Sequence, residues 1–459
     1  MYKPDTKLFI PVEHPSMKAE KTGMPELPFE ARISTFKEVA LGYGEEEAVE
    51  EAARCLKCPG HYCQQSCPAH VPIPEFIAAV RGREWEEAYR LISEANNLPA
   101  VTGRVCAQEC QCELNCTRGI KGEPTAIGRL ERFVADRHSA HSNAGLTVGE
   151  PTGKQVAVIG SGPAGLSCCC DLVSYGHSVT VFESRPFLGG VSVYGIPEFV
   201  LPGAVMQKTI QQLRQAGVVF VTEHTVDHPV HLLEEGYEAV FVATGAGKPV
   251  PLRVPGTDLE GVCTANDYLT SVNVAHTLSE AKRVAVIGGG NTAIDVCRAA
   301  KRMGAEQVTL IYRREECQMP ARREEVLHAK EEGIAIMPLT SPVRMNGTKR
   351  VESMTCVRNS ANSTVGCGHR PEPAAIPGSE FELPVDLVVL ALGYTADAFA
   401  SLDCDEKGIV QVRKNGFATF KDGVFAGGDA VTGAATVVAA MAAGKKAASE
   451  MDCFLNSCH

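Results

Sequence analysis

Two stretches of this chain repeat one pattern: a short apolar run, a glycine-rich turn, apolar positions at helical spacing, then a second apolar run. In the first, Gln155 to Ile159 predicts a buried strand, and a helix and a second strand ending at Glu183 follow. The second stretch, RVAVIGGGNTAIDVCRAAKRMGAEQVTLIYRR, begins at Arg283 and predicts the same strand, turn, helix and strand. Further buried strands are predicted at Ala239 to Ala243 and Val385 to Leu390, and a helix of small residues from about Thr436. The first third reads differently. It becomes helical from about Phe36, with Glu45 to Glu47 at a solvated helix start, Pro74 able to open another helix, and helical segments at Trp85 to Ile92 and around Glu131. A Ser, Asn, Gly, Thr and Pro linker from His138 to Gly153 marks a boundary.

The expected architecture is α/β, with two Rossmann-like nucleotide-binding domains preceded by an α-helical domain. The boundaries fall at 1–150 for the helical domain, 151–270 and 385–459 for a split first nucleotide domain, and 271–384 for the second, inserted one. Gly160, Gly162 and Gly165, with Pro163 and Ala164 between them, form a G-x-G-x-x-G turn that lets backbone approach a pyrophosphate at a helix N-terminus. Glu183 closes the second strand, where a carboxylate accepts hydrogen bonds from an adenosine ribose. Strand, turn, helix and acid together predict a dinucleotide site, which should hold FAD. Gly189 and Gly190 permit another close backbone approach, and Tyr194 to Phe199 should lie near the flavin ring. Thr244 and Gly245, in a small-residue turn after a strand, and Gly428 with Asp429 before the last helix, are expected against the same cofactor.

In the second unit Gly288, Gly290 and Ala293 hold the G-x-G-x-x-A positions, with Asn291 and Thr292 opening the helix. The acid of the first unit is replaced by Tyr312, Arg313 and Arg314. A carboxylate there would repel the 2′-phosphate of NADP, whereas guanidinium groups bind it, so this unit is read as selective for NADPH. Loss of one arginine should weaken NADPH roughly tenfold to a hundredfold and affect NADH much less. Arg322 and Arg323 either assist or face solvent on a helix.

Length, charge and cysteine usage narrow the class. The 459 residues suffice for two to four domains, and a net charge of −11 argues against nucleic acid or an anionic membrane surface as partner. The start carries no apolar signal core, and no apolar run has the length of a membrane span, so a cytoplasmic location is expected. Eight of the 19 cysteines crowd between Cys55 and Cys116. Cys55, Cys58, Cys63 and Cys67 are spaced C-x2-C-x4-C-x3-C-P, like a ferredoxin run with one loop lengthened; Cys106, Cys110, Cys112 and Cys116 follow. Zinc is the competing ion, but an electron carrier suits a flavin-bearing chain better than a redox-inert one. Cys168, Cys169 and Cys170 are read as helix packing and Trp85 as core. Residues 340–384, with Cys356 and Cys367, receive no role, and Cys453, Cys458 and His459 are read as a disordered tail.

The motifs RCLKC, CQQSCP, GRVCAQECQCELNC, EPTAIGRLERF, GSGPAGL, YGIPEF, GGGNTAID, MPARREE, ALGY and AGGDA together resemble the small (beta) subunit family of NADPH-dependent glutamate synthase over nearly the whole chain. The resemblance implies two 4Fe-4S clusters with interleaved ligands: Cys55, Cys58, Cys63 and Cys116 for one, and Cys67, Cys106, Cys112 and Glu131 for the other. Cys110, where the family needs no cysteine, leaves an all-cysteine alternative open. It also implies hydride transfer from NADPH to FAD, then one-electron delivery through the clusters to a partner, with no acid-base catalytic residue. That partner would be a glutamate synthase large subunit; a ferredoxin:NADP oxidoreductase or sulfide dehydrogenase assembly is the alternative, and a structural docking subunit with silent nucleotide sites is the reading from another class. An oligomer is expected. Thioredoxin reductase chemistry is disfavoured because the one C-x-x-C pair, Cys55 and Cys58, lies outside the pyridine nucleotide unit.

Overall fold

The computed structural model describes residues 15–142, 145–275, 280–361, 373–414 and 416–457. Cys367, Cys458 and His459 lie outside them. Two five-stranded parallel sheets organise the chain. The first runs in the order Val424–Ala426, Ala239–Val242, Gln155–Ile159, Ser178–Phe182 and Val219–Val221. Its central strands are buried on both faces, as parallel strands covered by helices must be. The helix Pro163–Ser174 lies over it and packs on the C-terminal helix Val437–Ser457. Small residues make that approach possible: a Cβ on Gly444 would sit 2.0 Å from the Ala164 carbonyl oxygen. Cys168, Cys169 and Cys170 are buried in this seam, in keeping with a packing role.

The second sheet repeats the layout with Val262–Thr264, Leu387–Leu390, Arg283–Ile287, Gln307–Ile311 and Ala335–Met337. Two sequence expectations shift here. The strand at 385–390 pairs with Arg283–Ile287 rather than joining the first sheet, and Val262–Thr264 with the helix Ala265–Asn273 also packs on the second unit. Such pairing is set by distant partners, which local apolar content does not reveal. The crossings between the sheets, Lys248–Pro249 and Tyr394–Thr395, pair antiparallel with each other. Residues 340–384, without an expected role, supply a three-stranded antiparallel sheet of Thr340–Asn346, Ser353–Arg358 and Phe381–Pro384. Met345, Met354 and Cys356 bury its inner face on Ala285, Ile287 and Ile311.

The N-terminal region is helical, with Ile73–Arg81, Trp85–Ser93 and Ile127–His141 around one core, while Pro99–Val105 places Val101 in the core of the first sheet. Trp85 meets Phe133 edge-on at 5.3 Å. The segment from Phe36 to Gly44 is not helical as expected; the helix begins at Glu45 and the preceding chain is irregular, with Val39 N–H donating to the Phe199 carbonyl. Phe199 is itself buried beneath the guanidinium groups of Arg298 and Arg302, at 4.8 and 4.0 Å from its ring centre. Cys453 is exposed on the C-terminal helix, which continues to Ser457 where a disordered tail was expected. Among the described residues no helix is long and apolar enough to cross a membrane.

Candidate functional site: two nucleotide turns beside a cysteine domain

The first glycine turn is shaped by backbone proximity. Gly160 has φ +101°, and a Cβ there would lie 2.6 Å from the Ala243 carbonyl oxygen at the end of the neighbouring strand. Gly165 must let the helix sit on the Gly160 carbonyl, 2.1 Å from where its Cβ would be. Gly162 differs: its φ is −70° and nothing lies within 4 Å of an added Cβ. It caps the helix Pro163–Ser174, whose N-terminus has no side-chain cap. Gly190, at φ +54°, backs onto Gly162, with 2.8 Å between its would-be Cβ and the Gly162 Cα.

Glu183 is buried beside this turn, and Oε2 accepts from the Ser161 N–H at 3.0 Å and hydroxyl at 2.5 Å while Oε1 accepts from the Arg185 N–H at 3.0 Å. Ser161 Oγ also accepts from the Gly189 N–H at 3.0 Å, so it ties both glycine turns to the acid. Ser161 is not among the residues expected at this site, and its place inside the G-x-G motif is the sequence signal that marks it. Thr244 is exposed and Gly245 adopts φ +75° at the end of the adjacent strand. Gly428, at φ +65°, approaches Ala164, and Asp429 begins the short helix Asp429–Thr432. Burial pushes the Asp429 carboxyl up against the Ala435 N–H that lowers it, and its Oδ1 is buried without a hydrogen-bond partner. An unsatisfied buried carboxylate oxygen beside a phosphate-type turn fits a hydroxyl-bearing cofactor such as FAD.

The second turn copies the first. Gly288, at φ +153°, would place a Cβ 2.3 Å from the Ala391 carbonyl oxygen, as Gly160 does with Ala243. ATG and ALG therefore occupy matching strand ends, a correspondence visible in the sequence. Gly290 is open around its Cβ position and caps the helix Asn291–Arg302, with Thr292 partly exposed and Ala293 buried in that first turn. The Tyr312 ring lies against Gly289. Arg313 is exposed and Arg314 partly so, which leaves guanidinium groups beside the second strand's end, where a 2′-phosphate would be met. Arg322 does not face solvent on a helix: its side chain is 12% exposed and reaches the Arg104 carbonyl at 2.6 Å. Arg323 is exposed.

The cysteine domain brings its candidates together in two sets. Burial pushes Cys55 up to about 12 and Cys63 up to about 11, and the neighbouring thiols act on them further: Cys63, Cys116 and Cys58 on Cys55, and Cys116 and Cys58 on Cys63. The second set is deeper. Burial pushes Cys67 up and Cys106 and Cys112 well up; Glu131 acts on all three, and Cys67 on the other two. Burial likewise pushes Glu131 up to about 7, against hydrogen bonds from Thr102 at 2.5 Å and Asn96 at 2.9 Å that fix its Oε1. Cys110 is exposed. The Thr125 N–H donates to the Cys116 sulfur at 3.5 Å, and the Thr117 hydroxyl lies 3.2 Å from Cys58. Among the described residues, no group of three or more His, Cys, Asp or Glu is arranged to hold a single metal ion. Buried thiolates need positive charge to be stable, which the iron of a cluster supplies, so both sets suit that donor chemistry.

Comparison with known proteins agrees with this geometry. Residues 32–143 match the family described as dihydropyrimidine dehydrogenase domain II, 4Fe-4S cluster, and residues 154–444 match the pyridine nucleotide-disulphide oxidoreductase family. The glutamate synthase [NADPH] small chain of Halomonas elongata is 38% identical over 442 residues, covering 92% of this chain and 93% of its own. The chain belongs to the glutamate synthase [NADPH] small-chain family. It is an oxidoreductase that uses FAD, NADPH and 4Fe-4S clusters. The NADP(+)-dependent formate dehydrogenase subunit beta of Moorella thermoacetica is equally identical, at 38% over 424 residues, covering 86% of this chain but 60% of its own length. Among solved structures, Mycobacterium tuberculosis FprA in complex with NADPH is similar in fold, with a TM-score of 0.57 at 20% identity, over 67% of this chain and 85% of that one.

Proposed function

We propose that this chain is the electron-input subunit of a glutamate synthase, taking reducing equivalents from NADPH and delivering them to a large subunit. The observation that carries this reading is the end-to-end match to the Halomonas small chain, which spans 93% of that protein. When bound, NADPH supplies a hydride, FAD divides its two electrons, and the clusters carry them singly. The residues of this chain bind and position those groups. The Gly160–Gly165 turn, Gly190, Glu183, Thr244, Gly245, Gly428 and Asp429 would hold FAD, with Ser161 fixing the Glu183 carboxylate. Gly288, Gly290, Asn291, Thr292 and Ala293 would receive the NADPH pyrophosphate, and Arg313 and Arg314 its 2′-phosphate.

Cys55, Cys58, Cys63 and Cys116 would hold one cluster, and Cys67, Cys106, Cys112 and Glu131 the other. The mutual influence within each set and the exposure of Cys110 favour this over an all-cysteine second cluster. No general acid or base is required of the chain. The nucleotide unit is better drawn from about Val262 to Leu390 than from 271 to 384, on the pairing of its sheet. A cytoplasmic location and assembly with a partner complete the reading.

The 38% identity to a formate dehydrogenase beta subunit supports a second reading, in which the same input module serves a different oxidoreductase. Reconstitution separates them. With a glutamate synthase large subunit, the chain should support NADPH oxidation that requires both glutamine and 2-oxoglutarate. If NADPH is oxidised at the same rate without those substrates, or no complex forms, the glutamate synthase reading fails.

A further inference from the structure

Residues 322–324 join the second nucleotide turn to the cysteine domain. The Arg322 N–H donates to Asn291 Oδ1 at 2.8 Å, and Asn291 is the first residue of the helix after that turn. The Arg322 guanidinium points the other way. Its Nη1 donates to the Arg104 carbonyl at 2.6 Å, two residues before Cys106, and its Nη2 to Glu324 at 3.0 Å, while Nε is buried without a partner. Glu324 in turn accepts from Arg129 at 2.8 Å, two residues before Glu131 on the same helix. The Arg323 N–H donates to Glu109.

A buried, permanently charged guanidinium thus stands beside the segment that carries Cys106. The bond from its Nη1 to the Arg104 carbonyl holds that charge against the end of the helix Pro99–Val105, which leads directly into Cys106. Glu109, Glu324 and Glu325 act on Arg322 as counter-charges and keep it protonated despite burial. Hydrogen bonds to backbone on one side and to the turn on the other hold its position, so the charge is fixed rather than swept through solvent.

We propose that Arg322 is a positioning residue that sets the reduction potential of the cluster held by Cys67, Cys106, Cys112 and Glu131, and fixes that cluster's segment against the NADPH turn. The proposal rests on the ligand assignment made above. Adding one electron makes a cluster one unit more negative, with no bond broken, so a buried cation favours the reduced form and a buried anion disfavours it. Arg322 should therefore raise this potential, and Glu324, which partly neutralises it, should lower it.

The test is a redox titration of the whole protein, FAD and clusters loaded, with the two clusters followed separately by EPR. Arg322→Gln should lower the reduced-to-oxidised ratio of one cluster at fixed poise at least tenfold, which is about 59 mV for a one-electron couple. Arg322→Lys should keep the ratio within about threefold. Glu324→Gln should shift the same signal in the opposite direction, which a loss of packing would not do, and it keeps the test open if Arg322→Gln does not fold. The affected signal should be the one that Glu131→Gln also alters. If neither Arg322→Gln nor Glu324→Gln moves that signal, or both move it the same way, the proposal is overturned while the cluster assignment stands. If the unaltered protein shows no pair of cluster signals under chemical reduction, the assignment falls and the proposal with it.

Discussion

Gly162→Ala separates the demands of the fold from those of the cofactor. At Gly160 glycine is required by the protein alone, because φ is +101° and a Cβ would strike the Ala243 carbonyl at 2.6 Å. At Gly162 the backbone is in a region open to any residue and an added Cβ meets nothing within 4 Å. The fold therefore gains little from glycine there beyond a helix-cap preference of about 0.5–1 kcal/mol over alanine. A pyrophosphate lying against the turn changes that, since the methyl group would overlap its oxygens at about 1–3 kcal/mol, roughly a five- to 150-fold rise in the FAD Kd. Flavin-free protein should lose no more than about 3 °C in Tm. The assay is FAD rebinding to deflavinated protein by fluorescence quenching, with a thermal melt of the same sample. A Kd within twofold of the unaltered protein would refute the placement of FAD on this turn. A melt lowered by 10 °C or more would refute the claim that the site is structurally open.

Gly290→Ala, open by the same criterion, should weaken NADPH without changing FAD content, as read by equilibrium binding and the flavin spectrum. Arg313→Ala should raise the NADPH Kd roughly tenfold to a hundredfold and leave NADH within about threefold, which paired titrations check. Glu131→Ala should alter the EPR spectrum or potential of one cluster only; unchanged signals would remove it from the ligand set. Glu332 gives a pH prediction. Burial raises its carboxyl, but hydrogen bonds from Arg302 and Arg298 outweigh this and hold it at about 2, against 4.5 when free. Its folded pKa is depressed, so its stabilisation is complete above about pH 4.5 and is lost as pH falls toward 2, amounting to about 3 kcal/mol. Denaturant unfolding between pH 6 and 3 should show that slope, and Glu332→Gln should flatten it while destabilising the protein throughout.

What the sequence made legible was local. The two strand, turn and helix units follow from glycine spacing within some thirty residues, because a tight turn and its helix are neighbours in the chain. Sheet membership was not: nothing within Val385 to Leu390 says that it pairs with Arg283–Ile287 rather than Gln155–Ile159. The small antiparallel sheet escaped because turn-forming residues stand inside or at the ends of its strands, as Pro342 and Asn346 do in Thr340–Asn346. Cysteine spacing likewise could not pair Cys116 with Cys55 or Cys67 with Cys106, since residues so far apart in the chain meet only in three dimensions. The family resemblance implies that grouping, and Cys116 acts on Cys55 while Cys67 acts on Cys106. The polar Arg, Arg, Glu, Glu context of Arg322 suits a cofactor contact and a solvent face equally; only the bond to the Arg104 carbonyl, with Glu324 paired to Arg129, turns the guanidinium toward the cysteine domain.

The central claim, that the chain accepts electrons from NADPH at one nucleotide turn and passes them through FAD to its clusters, is tested most directly by an anaerobic titration with NADPH and, in parallel, NADH. Flavin absorbance and cluster EPR would be followed together on the loaded protein. The account predicts that NADPH bleaches the flavin at far lower concentration than NADH, and that a cluster signal then appears. A flavin that NADPH leaves oxidised would contradict it.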